Sequence, residues 1–119
     1  MAPYQAIVEQ AIDAMIFVDR DGLIRVWKRA AETLFGFAAA EVLGTSVDVI
    51  IPERLRAAHW RGFHAAIDSG RTKSGGRATV TRSLRKDGGK LYVELSFGLV
   101  TDPAGAVLGA LAIGREKPA

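Results

Sequence analysis

The 119-residue chain contains no cysteine, which excludes disulfides, thiolate-held metals, iron–sulfur clusters and cysteine nucleophiles. No apolar run approaches the ~20 residues that a membrane span needs. The first fourteen residues have no basic start followed by an apolar stretch, so no secretory signal is expected and the chain is read as cytoplasmic. There is no block of one charge sign. The formal charge is +3 and the pI about 9.6, but Arg54, Arg56, Arg61, Arg71, Lys73, Arg82, Arg85 and Lys86 are scattered among acidic residues. That spread describes a solvated basic face rather than a nucleic-acid surface, and neither nucleic acid nor membrane is expected as a partner. Catalytic signatures are also missing: there is no Ser–His–Asp order, HExxH or Walker sequence. Gly75-Gly76 and Gly88-Gly89 lack the strand–glycine–helix context of a phosphate loop. Asp19 and Asp21 lie in a turn without a nearby base, so no enzymatic activity is expected.

What is present is enough for one compact domain. Apolar residues make up 49% of the chain, above the level of disordered sequences. Tyr4, Ile7, Val8, Ala11 and Ile12 recur at helical spacing and predict a short amphipathic helix. Met15–Val18 reads as a buried strand, Asp19-Arg20-Asp21-Gly22 as a hairpin turn, and Leu23–Trp27 as the partner strand. Short helices follow around Ala30–Phe35 and Ala38–Leu43, with Thr45 or Ser46 capping a further turn to Ile50. Pro52 suits the first position of a longer helix reaching Ser69. The glycine-rich stretch 71–76 is a loop. Strand texture resumes at Arg77, turns at Lys86-Asp87-Gly88-Gly89, and continues with Leu91, Val93, Leu95, Phe97 and Leu99 in strict alternation. That period places these five on one buried face. Asp102-Pro103-Ala104-Gly105 is a turn, and Ala106–Ile113 is a last apolar strand. Two strands, a run of helices and three strands indicate an α+β fold with an antiparallel sheet.

The order of these motifs resembles the PAS family of sensory domains. Asp19–Trp27 followed by Arg29-Ala30-Ala31-Glu32-Thr33-Leu34-Phe35-Gly36-Phe37 looks like the PAS opening, and Glu41-Val42-Leu43-Gly44 like the segment before its central turn. Pro52–Gly70 resembles its long helix, and Arg85-Lys86-Asp87-Gly88 with the alternating strand resembles its C-terminal hairpin. Lys28 departs from the pattern, standing where the family usually has a capping Asn. The resemblance implies a five-stranded antiparallel sheet, with short central helices and one long helix packed on one face, plus an N-terminal flanking helix. It divides the chain into a flanking helix (1–13), a PAS domain (14–115) and a polar tail (116–119).

The resemblance also points to a ligand. Pro52-Glu53-Arg54-Leu55-Arg56-Ala57-Ala58-His59 is similar to the corresponding run in haem-binding PAS oxygen sensors, where a histidine seven residues after the helix-opening proline holds the iron. Leu55, His59, Phe63 and Ala66 share a helical face, and an imidazole is a suitable haem ligand. His64, about 140° further round the helix, is a poor second ligand from that direction. By the same resemblance the sensors' oxygen-binding Arg falls at Thr79, and a distal Met at Arg77. The expected cofactor site is thus His59 as metal ligand, with Leu55, Phe63, Arg77 and Thr79, and with Leu111 and Ile113 opposite on the final strand. Three alternatives stay open: haem, another small ligand, and a pocket without ligand in a module that only dimerises. A small haem-dependent enzyme is a further reading. The resemblance implies a homodimer, formed when the flanking helix crosses a neighbour's sheet, and a signalling effector such as a histidine kinase or a cyclic-nucleotide enzyme. The alternative for that helix is folding back on its own sheet.

Overall fold

The computed structural model describes residues 2–118. Helix α1 (Tyr4–Gln10) precedes strands β1 (Ala14–Asp19) and β2 (Ile24–Trp27). Helices α2 (Arg29–Phe35) and α3 (Ala39–Val42) and two 3₁₀ turns, Val47–Ile50 and Glu53–Leu55, lead to helix α4 (Arg56–Ser69). Strands β3 (Thr79–Leu84), β4 (Lys90–Thr101) and β5 (Val107–Glu116) complete an antiparallel sheet of order β2-β1-β5-β4-β3. The first and last strands therefore lie side by side within the sheet, where β1 pairs with β5.

The β1–β2 turn forms for local reasons. Asp19 accepts hydrogen bonds from the backbone N–H groups of Asp21 and Leu23 at 2.9 and 3.1 Å and pairs with Arg25 Nε at 2.7 Å. Gly22 supplies the positive φ of +82°, at almost no steric cost.

Pairing then fixes which face each strand turns inward. Ala112 stands opposite both Ile16 and Phe97, Ala110 opposite Val18 and Leu99, and Gly114 opposite Ala14 and Leu95. Cross-strand partners project to the same side, so these residues form one face, and it is the face against the helices. Leu91, Val93 and Leu95 are buried there, with Phe97 and Leu99 packed at its margin, as the alternation predicts. Trp27, Phe35, Ile24 and Val42 fill the space between this face and the short helices. The Trp27 ring lies 5.3 Å from Phe35, and its Nε1 donates to the Phe37 carbonyl at 2.9 Å.

The structure corrects several sequence expectations. The long helix begins at Arg56, not Pro52, because a 3₁₀ turn comes first. The Arg56 guanidinium donates to the carbonyls of Ile51 and Asp48, which folds the chain back before the helix starts. The last strand runs to Glu116 rather than ending at Ile113, since Arg115 and Glu116 still pair with Glu94 and Val93. The start of β3 moves from Arg77 to Thr79. Helix α1 does not fold back over its own sheet. It lies beside α2, with Glu9 3.6 Å from Lys28, and leaves Tyr4 and Ile7 exposed; it ends at Gln10, so Ile12, 92% exposed, lies beyond the helix rather than on its stripe.

Candidate ligand site

Helix α4 rests on β5. Its inward face carries Phe63 and Ile67, both buried, and His59, partly buried one turn earlier. Beneath it the middle of β5 presents the small residues Ala110, Ala112 and Gly114 on the helix side, where the family resemblance places a ligand. Phe97, Leu99 and Val107 add partly buried apolar walls.

His59 is the unusual residue here. Its Nδ1 is buried and has no hydrogen-bond partner, whereas nearly all buried polar atoms find one. Burial pushes its pKa below the ordinary imidazole value, while the Asp48 carboxylate acts in the opposite direction and His64 adds to the lowering. The ring is therefore kept neutral, the form in which imidazole binds metals. Its position is set by aromatic neighbours: Trp60 lies edge-on at 4.7 Å, and Phe63 is stacked at 6.2 Å between centroids.

The expected site residues are only partly brought together. Leu55 ends the second 3₁₀ turn and is partly buried, one helical turn before His59, and Phe63 lies one turn beyond it. Thr79 pairs with Leu95 and so projects toward the helix side, but it is exposed on the edge strand. Arg77 is turned onto its own loop, where its Nε donates to the Ser74 carbonyl at 3.2 Å. Leu111 and Ile113 are the clear correction. They pair with Phe17 and Met15 and lie on the outer face, away from α4. The final strand is apolar at both parities, so its sequence does not reveal its phase, and a shift of one residue reverses every side chain. The residues actually facing α4, Ala110 and Ala112, are the smaller set. His64 is exposed.

Sequence reasoning missed a link that fixes the start of α4. Trp60 Nε1 donates to Asp48 Oδ1 at 2.9 Å. The indole covers the β1–β2 turn so closely that a Cβ on Gly22 would stand 2.4 Å from its Cη2 atom. Asp48 is itself anchored, because Ser46 Oγ accepts from its N–H at 3.1 Å.

His59 is the residue of this face that would hold a haem iron, as a neutral imidazole above an apolar floor of small residues. Among the described residues no group of three or more His, Asp or Glu could hold a metal ion. Phe63 and Ile67 are buried in the seam between helix and sheet. Two shallow grooves elsewhere, one along Pro52, Glu53, Arg54 and Leu84 and the other between α1, α2 and the end of β5, are not lined by His59.

A five-stranded antiparallel sheet with α4 and short helices on one face is the architecture of a sensory domain. The PAS fold model matches residues 2–117, and the chain belongs to the PAS family. It is 33% identical over 98 residues to the sensor protein FixL of Bradyrhizobium diazoefficiens, covering 79% of this chain and 19% of that protein. It is 26% identical over 94 residues to the oxygen sensor protein DosP of Escherichia coli, covering 79% of this chain and 12% of that one. The chain thus spans a fifth or less of the length of these relatives. The crystal structure of a PAS domain from Colwellia psychrerythraea superposes with a TM-score of 0.82 at 22% identity, covering 96% of this chain and 93% of the other. Among the described residues no helix is long and apolar enough to cross a membrane.

Proposed function

We propose that this PAS domain is the sensing module of a larger signalling protein and that it binds haem through His59. The observation that carries this reading is the placement of a partly buried His59 on the same face of α4 as Phe63 and Ile67, above small residues of β5. Likeness to a protein named as an oxygen sensor supports the same reading. Haem, when bound, supplies an iron that takes up diatomic gases. The chain's own part is to hold a neutral imidazole and to exclude water with Phe63 and Leu55. Thr79, on the helix side of β3, provides a neutral hydroxyl where the sensors' charged donor falls, and a neutral hydrogen bond is roughly half as strong as a charge-assisted one.

The partner in this reading is first a second copy of the chain. Tyr4 and Ile7 of α1 are exposed, as is Ile12 just beyond it, and a helix this short is marginal alone. The effector in this reading is a histidine kinase or a cyclic-nucleotide enzyme, as the family resemblance implies. The same exposed residues, together with the buried Phe63 and Ile67 under α4, favour a second reading, a ligand-free dimerisation module.

Native mass spectrometry of the protein purified from haem-replete cells separates the two. A bound mass equal to haem, lost in His59→Ala, supports the sensor. A dimer with no bound mass in the wild type, after haem supplementation, supports the second reading.

A further inference from the structure

Ligating histidines are normally oriented by a hydrogen bond from the second ring nitrogen to a carboxylate, carbonyl or water. Among the described residues His59 lacks that bond: its Nδ1 is buried with no partner. Its ring is held instead between two aromatic neighbours, with Trp60 nearly perpendicular at 77° and 4.7 Å away, and Phe63 at 26° and 6.2 Å.

Trp60 is the better anchored of the two. Its N–H is fixed by Asp48 at 2.9 Å, and its far edge is pressed against Gly22, which has no side chain to displace it. Asp48 is held in turn by the Ser46 cap and by Arg56, whose guanidinium reaches the Asp48 carbonyl at 3.2 Å. A rigid chain of contacts therefore runs from the central 3₁₀ turn through the indole to the imidazole. Rotating Trp60 would break its bond to Asp48 and drive it into the β1–β2 turn.

We propose that Trp60, locked by Asp48, is the positioning residue for His59, setting the plane of the imidazole in place of the missing Nδ1 hydrogen bond. This rests on the reading of His59 as the ligand. Removing an outer partner of a metal-binding histidine costs about 10–100-fold in affinity, and loss of the Asp48 lock falls at the lower end, about tenfold, because Phe63 remains.

The test uses three variants and two readouts. Asp48→Ala removes the acceptor, Asp48→Asn keeps an oxygen at Oδ1, and Trp60→Phe keeps an aromatic ring but loses the donor. In the cofactor-free protein, the ring-proton NMR shifts of His59 report its orientation against the indole. In a haem titration, the dissociation constant reports its consequence. Asp48→Ala and Trp60→Phe are expected to move the His59 ring shifts and weaken haem binding about tenfold while circular dichroism stays unchanged, and Asp48→Asn to restore both. His59 ring shifts unchanged in Asp48→Ala overturn the proposal, as does a folded Asp48→Asn that restores neither readout. If the wild type takes up no haem, yet the shifts move in Asp48→Ala and return in Asp48→Asn, the cofactor reading falls and the positioning role stands.

Discussion

Gly22→Ala tests the contact on which the placement of α4 depends. Two terms act against the alanine. Its φ of +82° lies in the left-handed region, which costs a non-glycine residue about 1–2 kcal/mol. Its Cβ would also fall 2.4 Å from Trp60 Cη2, too close to tolerate, so the indole must shift and its bond to Asp48 lengthens or breaks. Losing that bond adds about 1 kcal/mol. Stiffening the unfolded chain returns about 0.4–1 kcal/mol, for a net loss of about 2 kcal/mol. Gly44→Ala is the matched control: its φ is +83°, but nothing lies within 4 Å of the added Cβ, so it loses only the conformational term, a net of about 1 kcal/mol or less. At about 4 °C per kcal/mol for a domain of this size, the melting point should drop by about 8 °C in Gly22→Ala and about 4 °C or less in Gly44→Ala. Thermal denaturation followed by circular dichroism measures both. Fluorescence should change only in Gly22→Ala, since Trp60 is one of just two tryptophans. Equal losses in the two variants would refute the contact.

Three further outcomes follow from the same geometry. Burial lowers the His59 pKa from its ordinary 6.5, so the unfolded chain takes up this proton before the folded one does. Stability of the cofactor-free protein should therefore be full above pH 6.5 and decline as pH falls through that value. His59→Phe should flatten the decline in chemical denaturation, and an unchanged slope would mean that the ring is not desolvated. Leu95→Ala, at a site 5% exposed, should cost about 2–5 kcal/mol, while Leu111→Ala, on the outer face, should cost clearly less; denaturant midpoints giving the reverse order would contradict the register. The wild type should sediment as a dimer at high micromolar concentration and Ile7→Glu with Ile12→Glu as a monomer, whereas a dimer that survives the two charges would place the interface elsewhere.

The sequence makes legible what is local in origin. The Asp19–Gly22 turn follows from an aspartate that accepts two backbone N–H groups and a glycine at positive φ. The face of β4 follows from strict alternation at Leu91, Val93, Leu95, Phe97 and Leu99. His59 could be placed on the inward side of a helix by its spacing from Leu55 and Phe63 alone. The phase of β5 was not legible, because Ala110 and Leu111 are both apolar and only pairing with β1 and β4 decides which faces α4. The start of α4 was displaced by Arg56, whose bonds to Asp48 and Ile51 carbonyls carry no signature in the sequence pattern. The Asp48–Trp60 bond escaped for a related reason: it joins residues twelve positions apart, a contact that exists only once the central turn and α4 have packed. The apolar spacing from Tyr4 to Ile12 predicts a longer amphipathic helix than forms: α1 ends at Gln10 and buries none of its residues, and spacing alone does not say what covers it.

The central claim is that His59 gives this PAS domain a haem site. A haem titration of the purified protein, followed by visible absorption, tests it most directly. The account predicts a Soret band that saturates at one haem per chain in the wild type and is lost in His59→Ala. A titration that never saturates, or a Soret band unchanged in His59→Ala, would contradict it.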